Sequence, residues 1–223
     1  MSEIVNAFLL VFVGLFPIVN PLGSAPIFLS LTANCLTEER NRLSWRIALN
    51  GFCLLFGSMF FGSAILEFFG ITVPVVRVAV GLVVTAMGWK ILNEDDGAPE
   101  REAARAAETP PKSRDSFYPL TLPLTVGPGS ISVAITIGSH RPRGESLEHT
   151  VMLAVAAVAG LLAVAATIYG AYRFAAPLAR LLGQGGINVL VRLSAFILMC
   201  IGIEIVWSGI RALATGLGHA DAG

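Results

Sequence analysis

The sequence predicts an all-α membrane protein: six transmembrane helices as two inverted three-helix repeats, with helices 1 and 4 broken in mid-membrane. Three observations predict it. The 223-residue chain is 55% hydrophobic and only 13% charged, with a mean hydropathy of +0.74. Such values belong to polytopic membrane proteins and not to soluble domains. Six apolar segments, roughly 4–32, 46–69, 72–92, 117–139, 149–172 and 187–211, are each long enough to cross a hydrocarbon core that takes about 20 helical residues. The first and fourth segments carry breaks of one design. Pro17 with Gly23-Ser24, and Pro123 with Gly129-Ser130, both read Pro-x5-Gly-Ser, and both elements repeat at 106 residues (123 − 17 and 129 − 23).

Segment one opens as a plain apolar helix, Ala7 to Phe16, and then meets Pro17, Asn20, Pro21, Gly23 and Pro26. Proline inside a helix removes a backbone hydrogen bond and crowds the preceding turn. In a membrane the freed groups need partners inside protein or a watered cavity. Thr37 to Arg42 is a polar connection, with Thr37 as expected N-cap of the next helix. Segment two carries Asn50 and closes at Glu67-Phe68-Phe69-Gly70, a very short turn. Segment three starts near Pro74, passes Arg77 and ends at Gly88-Trp89-Lys90, where Trp and Lys suit an interface. Segment four holds the second break. Segment five is Ala/Val/Gly-rich, a composition suited to close helix contact. Segment six carries Arg192 near its start, Glu204 further in and Trp207 near its end.

Residues 93–116 are the one clearly aqueous stretch and read as a cytoplasmic linker, with a short surface helix expected at 99–108. They divide the chain into a first repeat, 1–92, and a second, 117–223. Each half has three spans, an odd number, so the halves insert in opposite orientations. The first Lys or Arg is Arg40, so the opening apolar run has no basic flank and reads as a retained span rather than a signal peptide. Basic residues set the orientation. Arg40, Arg42, Arg46, Lys90, Arg101, Arg105, Lys112, Arg114, Arg173, Arg180 and Arg192 lie on one side; Arg77, Arg141, Arg143 and Arg211 lie on the other. The first group is expected in the cytoplasm and both termini in the periplasm.

Composition also excludes several classes. Net charge is zero and the pI is near 6.8, so no basic surface points to nucleic acid. Cys35, Cys53 and Cys200 are scattered, with no metal-ligand or disulfide spacing. No Ser/His/Asp set, HExxH or phosphate loop is present, so neither an enzyme nor a cofactor or metal site is expected. His140 and His149 read as exposed polar residues flanking an external loop.

Chemistry concentrates at the two breaks. Interrupted helices at matching places in two halves point to a transporter's binding site; the alternative is a pair of kinks that only shape the bundle. Beyond a break, a new half-helix begins with unpaired N–H groups and a partial positive charge, which receive a carboxylate without needing a cation. Asn20, Pro21, Gly23, Ser24, Thr125, Gly127, Pro128, Gly129 and Ser130 are therefore the candidate substrate-binding residues. The glycines leave backbone accessible, and the polar side chains add donors and acceptors. With no acid in either break, an anionic group fits better than a divalent metal. Arg77 and Arg192 open the third span of each half and read as gating or anchoring residues, or as interface residues that snorkel. Glu204 reads as a carrier of a coupling proton, since burial raises a carboxyl pKa, or as an interfacial acid beside Trp207 and Arg211.

The motifs Asn20-Pro21-x-Gly-Ser-Ala-Pro and Pro123-Leu-Thr-Val-Gly-Pro-Gly-Ser, with an arginine opening spans three and six, resemble the MarC family. The resemblance covers nearly the whole chain outside 93–116. It implies a six-span protein of the bacterial inner membrane, and relatives of the SnatA type are transporters of small neutral amino acids such as glycine and alanine. Carried over by motif, Asn20, Pro21, Gly23, Gly127, Pro128 and Gly129 form the family's core, with Arg77 and Arg192 beside them. Glu204 stands where the family commonly has an amide, a departure that bears on coupling and selectivity.

The expected function is thus secondary transport of a small zwitterionic amino acid by alternating access, driven by a proton or sodium ion. Its ammonium group is expected on backbone carbonyls at a half-helix C-terminal end, or on Asn20. The alternatives are efflux of other small solutes and a non-transporting membrane partner or regulatory subunit.

Overall fold

A computed structural model describes residues 2–32, 35–93, 116–117, 120–139 and 147–220. Its elements are helices α1 (Ser2–Val19), α2 (Pro21–Leu31), α3 (Thr37–Phe68) and α4 (Val73–Asn93), then a π-helical turn (Leu120–Thr125), then α5 (Pro128–Ser139), α6 (Leu147–Arg173) and α7 (Ala175–Ala220). No strand occurs among the described residues. Among the described residues, five stretches are long and apolar enough to cross a membrane: Glu3–Leu29 through α1 and α2, α3, α4, α6, and Asn188–Thr215 of α7. The fourth expected segment differs. It is two short pieces, the π-turn of 6 residues and α5 of 12. Twelve residues rise only about 18 Å against a hydrocarbon core of about 30 Å. The surface helix expected at 99–108 and His140 lie outside the described residues.

Proline explains where the chain leaves the helix, because the residue before proline is disfavoured in the α region. Leu122, before Pro123, is extended (φ −116, ψ 121). Asn20, before Pro21, takes a positive φ of 45, which asparagine tolerates better than most side chains. Pro17, expected to begin the first break, instead stays inside α1, and Pro26 inside α2. The first break is therefore a single residue.

Other boundaries moved by small amounts. Leu36, not Thr37, caps α3, and its N–H donates to Glu39 Oε2 (3.3 Å). The stretch between segments five and six is helical from Ala175 and bends at Gly183, whose φ of 61 and ψ of 176 only glycine adopts without strain. His149 is no bare surface residue; its Nε2 lies 2.8 Å from Glu3 Oε2.

The core follows helical spacing. Leu161, Val164, Ile168 and Tyr172 form one stripe of α6, all fully buried against Val11 and Leu15 of α1 and Ile47 and Leu55 of α3. The opposite faces carry Leu10, Val13, Phe61, Val155 and Leu162, exposed and apolar, as lipid requires and water would not tolerate in such number.

The main packing pairs form matched sets. α1 and α2 pack on α6 as α5 packs on α3; α2 packs on α7 as α5 packs on α4; α3–α6 and α4–α7 close the bundle. The α4–α7 contact is backbone-close and antiparallel. A Cβ on Gly81 would meet Gly202 O at 2.7 Å, one on Gly88 would meet Ala195 O at 2.8 Å, and one on Gly209 would meet Pro74 O at 3.0 Å. Gly81 to Ala195 and Gly88 to Gly202 are each 114 positions apart (195 − 81 and 202 − 88). The contact Gly81–Gly202 thus has Ala195–Gly88 as its counterpart under exchange of the halves.

Candidate functional site

The two breaks lie near each other in the bundle but are built differently. In the first, Pro21 is the first helical residue of α2, a position where its missing N–H costs nothing. Asn20 is the N-cap: its Oδ1 accepts from Gly23 N (3.1 Å), and its carbonyl accepts from Ser24 N (3.0 Å) and from Ser24 Oγ (2.9 Å). Gly23 is buried, and a Cβ there would stand 2.8 Å from Asn20 Cγ. Glycine at 23 makes room for the Asn20 cap, and does not expose backbone to a ligand as the sequence suggested. Asn20 Oδ1 thus already accepts one of the two hydrogen bonds that an amide oxygen can take.

The second break has no such cap. Pro128 is the first residue of α5, and the N-cap position is Gly127, which has no side chain. Its carbonyl accepts from Ile131 N (3.2 Å) and from Ser130 Oγ (2.9 Å). The helix-starting prolines are therefore 107 residues apart (128 − 21), one more than the 106 of the motif register. That single step puts an asparagine at one N-cap and a glycine at the other. Among the described residues no side chain caps the N-terminal N–H groups of Gly129 and Ser130, which have the dipole of α5 behind them.

A cavity of about 40 Å³ opens at this end of α5. Thr125, Gly127, Gly129 and Ser130 supply its polar wall; Ile18, Val84, Met87, Leu124 and Leu198 supply the apolar one. Of the nine predicted binding residues, four thus line it. Pro128 begins α5 beside it. Asn20, Pro21 and Gly23 are not in its wall, and Ser24 connects to it indirectly.

That connection runs through Tyr172, which sequence reasoning missed. Its side chain is fully buried and stacks on Phe28 (centroids 4.4 Å, planes 7° apart). Its hydroxyl lies 2.7 Å from Thr125 Oγ1 and 3.0 Å from Ser24 Oγ, so one side chain of α6 bridges the two breaks. The available signal was a phenol within an apolar span, because a buried tyrosine hydroxyl needs a partner.

Arg77 and Arg192 are not brought together and neither lines the cavity. Arg77 is half-buried against Gly209, seven residues, or about 10 Å of helix, before the cavity residue Val84. Arg192 is exposed, six residues, or about 9 Å, before Leu198. Because α4 and α7 are antiparallel, the two arginines stand beyond opposite ends of the cavity. Glu204 is exposed on α7 and outside the cavity wall. Arg211 lies over the Trp207 ring, 5.6 Å from its centroid, further along the same helix.

The sequence profile described as "MarC family integral membrane protein" matches residues 5–214. Inner membrane protein MarC of Salmonella typhimurium (strain LT2) is 33% identical over 215 residues, covering 94% of this chain and 96% of that protein. The protein of the same name from Citrobacter koseri is 33% identical over 214 residues. Membrane protein YhcE of Escherichia coli (strain K12) is 32% identical over 206 residues, 92% of this chain and 93% of its own length. No solved structure matches significantly.

Proposed function

The chain belongs to the MarC family of integral membrane proteins, and from that premise we propose that it is a secondary transporter of small neutral amino acids. The substrate is of glycine or alanine size and moves by alternating access between two inverted halves, 1–92 and 117–223. The observation that carries this is the uncapped N-terminus of α5 opening on a cavity in the bundle interior. A half-helix N-terminus beside a small cavity is a carboxylate site. Glycines at 127 and 129 and serine at 130 keep bulk out of it.

The matched packing sets and the antiparallel Gly81–Gly202 and Gly88–Ala195 contacts support the inverted repeat. The cavity volume supports alternation. About 40 Å³ holds little more than one water, whose share of liquid volume is about 30 Å³. A space this small takes a substrate of alanine size only when the walls of α4, α5 and α7 part. Proteoliposomes preloaded with alanine should accumulate labelled alanine by counterflow. Accumulation no greater than in protein-free liposomes would remove the proposal.

The relatives named as inner membrane proteins and the split of basic residues support a bacterial inner-membrane location with both termini in the periplasm and 93–116 in the cytoplasm. A reporter active only in the cytoplasm, fused after Ala222, should stay dark. A bright fusion there would contradict this topology.

A further inference from the structure

The oxygens that join the two breaks form a chain: Leu120 O, Thr125 Oγ1, Tyr172 OH, Ser24 Oγ, Asn20 O. Successive separations are 2.7, 2.7, 3.0 and 2.9 Å. Thr125 is 2% exposed, Tyr172 0% and Ser24 6%. Both ends are backbone carbonyls, which only accept, and each hydroxyl has one proton. Four contacts therefore share three protons. Wherever the protons lie, one contact sets lone pair against lone pair. With Tyr172 donating to Ser24 and Ser24 to Asn20 O, the deficit falls on Thr125, whose single proton serves Tyr172 or the Leu120 carbonyl but not both.

Thr125 is also the member of the chain in the cavity wall. The cavity then has two unlike poles: the N–H groups of Gly129 and Ser130 at the start of α5, and an oxygen cluster one proton short at the end of the π-turn. We propose that the Thr125–Leu120 oxygen cluster is the ammonium subsite of the substrate, and that Tyr172 and Ser24 are positioning residues that keep it proton-deficient. This rests on the amino acid transport proposed above and names the part of the site that distinguishes an amino acid from a plain carboxylate. A buried oxygen that faces another oxygen with no proton between them is poorly compensated, so a positively charged donor gains more there than at a satisfied hydroxyl.

The proton count makes a prediction that a packing role does not. Tyr172→Phe leaves Thr125 donating to Leu120 O and Ser24 to Asn20 O, with nothing unpaired. Ser24→Ala leaves Tyr172 donating to Thr125 and Thr125 to Leu120 O, again with nothing unpaired. Both changes, at residues outside the cavity wall, should weaken the ammonium subsite while leaving the carboxylate end intact. The test is ligand binding to the purified full-length protein in nanodiscs, with alanine and propionate as probes. Wild type should bind alanine more tightly than propionate. Tyr172→Phe and Ser24→Ala should each raise the alanine Kd roughly tenfold and leave the propionate Kd within about twofold. Gly57→Ala, where nothing lies within 4 Å of the new Cβ, should bind both probes like wild type.

Equal losses for alanine and propionate, or no loss for either, would overturn the subsite while the carboxylate site stands. The same holds if wild type binds propionate as well as it binds alanine. If wild type binds neither, the transport proposal fails and takes the subsite with it. Should Tyr172→Phe not yield folded protein, Ser24→Ala, the smaller change, decides.

Discussion

Gly129→Val should abolish alanine transport while leaving folded protein in the membrane. A Cβ at 129 would stand 2.7 Å from Val84 Cγ2 and 3.6 Å from Ile18 Cγ2, and all three residues line the same cavity. Val84 is 1% exposed and β-branched, so in a helix it is held to one strongly preferred rotamer and yields at a cost. Overpacking of this kind costs about 1–3 kcal/mol, which a protein of this size survives. Transport does not survive it. The added methyls occupy the space next to the α5 N-terminus, and a misplacement of about 1 Å at a binding centre is enough for a loss of about a hundredfold. The control is Gly57→Ala, where nothing lies within 4 Å of the new Cβ; it should transport normally. The check is initial uptake rate per folded protein, with the folded amount read from size-exclusion chromatography. Normal uptake by Gly129→Val would take the cavity out of the substrate path.

Gly88→Leu should act on stability and not on substrate. The atoms a Cβ would meet are backbone: Met199 N at 2.7 Å, Ala195 O at 2.8 Å and Met199 Cα at 2.9 Å. Backbone cannot turn aside, so α4 and α7 must separate along a contact that also holds Gly81 against Gly202 O. Membrane helices associate through this sort of close packing, since lipid supplies no hydrophobic drive between them. A cost on the order of 3 kcal/mol lowers a melting temperature by about 6–12 °C in a domain of this length. A thermal melt in detergent reads it directly. An unchanged melt would mean that α4 and α7 do not meet at Gly88.

Sequence showed much of this because its strongest signals are local. Membrane spans are visible in apolar run length, and the breaks in the X-Pro pairs Asn20-Pro21, Leu122-Pro123 and Gly127-Pro128. The Pro-x5-Gly-Ser register repeats at 106 residues, whereas the half-helices start at Pro21 and Pro128, 107 apart (128 − 21). That one residue mattered: helix starts at 21 and 128 turn one break into a self-capped turn and leave the other open, a difference that depends on which proline the helix accepts. Pro17 has the same local chemistry as Pro21 and does not break its helix, so proline alone did not mark the position. The role of Gly23 was misjudged because only the folded Asn20 side chain shows what the missing Cβ makes room for. Tyr172 was out of reach for a different reason. Its partners are 47 and 148 positions away, and the hydroxyl chain exists only once α2, the π-turn and α6 are assembled.

The central claim is a carboxylate held at the N-terminus of α5, and competition for alanine uptake tests it most directly. Propionate, ethylamine and leucine are offered in excess against labelled alanine in proteoliposomes. Propionate should inhibit, because it presents the carboxylate to the Gly129 and Ser130 N–H groups. Ethylamine, with no carboxylate, should not. Leucine should compete about 5- to 150-fold less well than alanine, the equivalent of roughly 1–3 kcal/mol of overfilling. Strong inhibition by ethylamine with none by propionate would contradict the carboxylate site and the assignment of these residues with it.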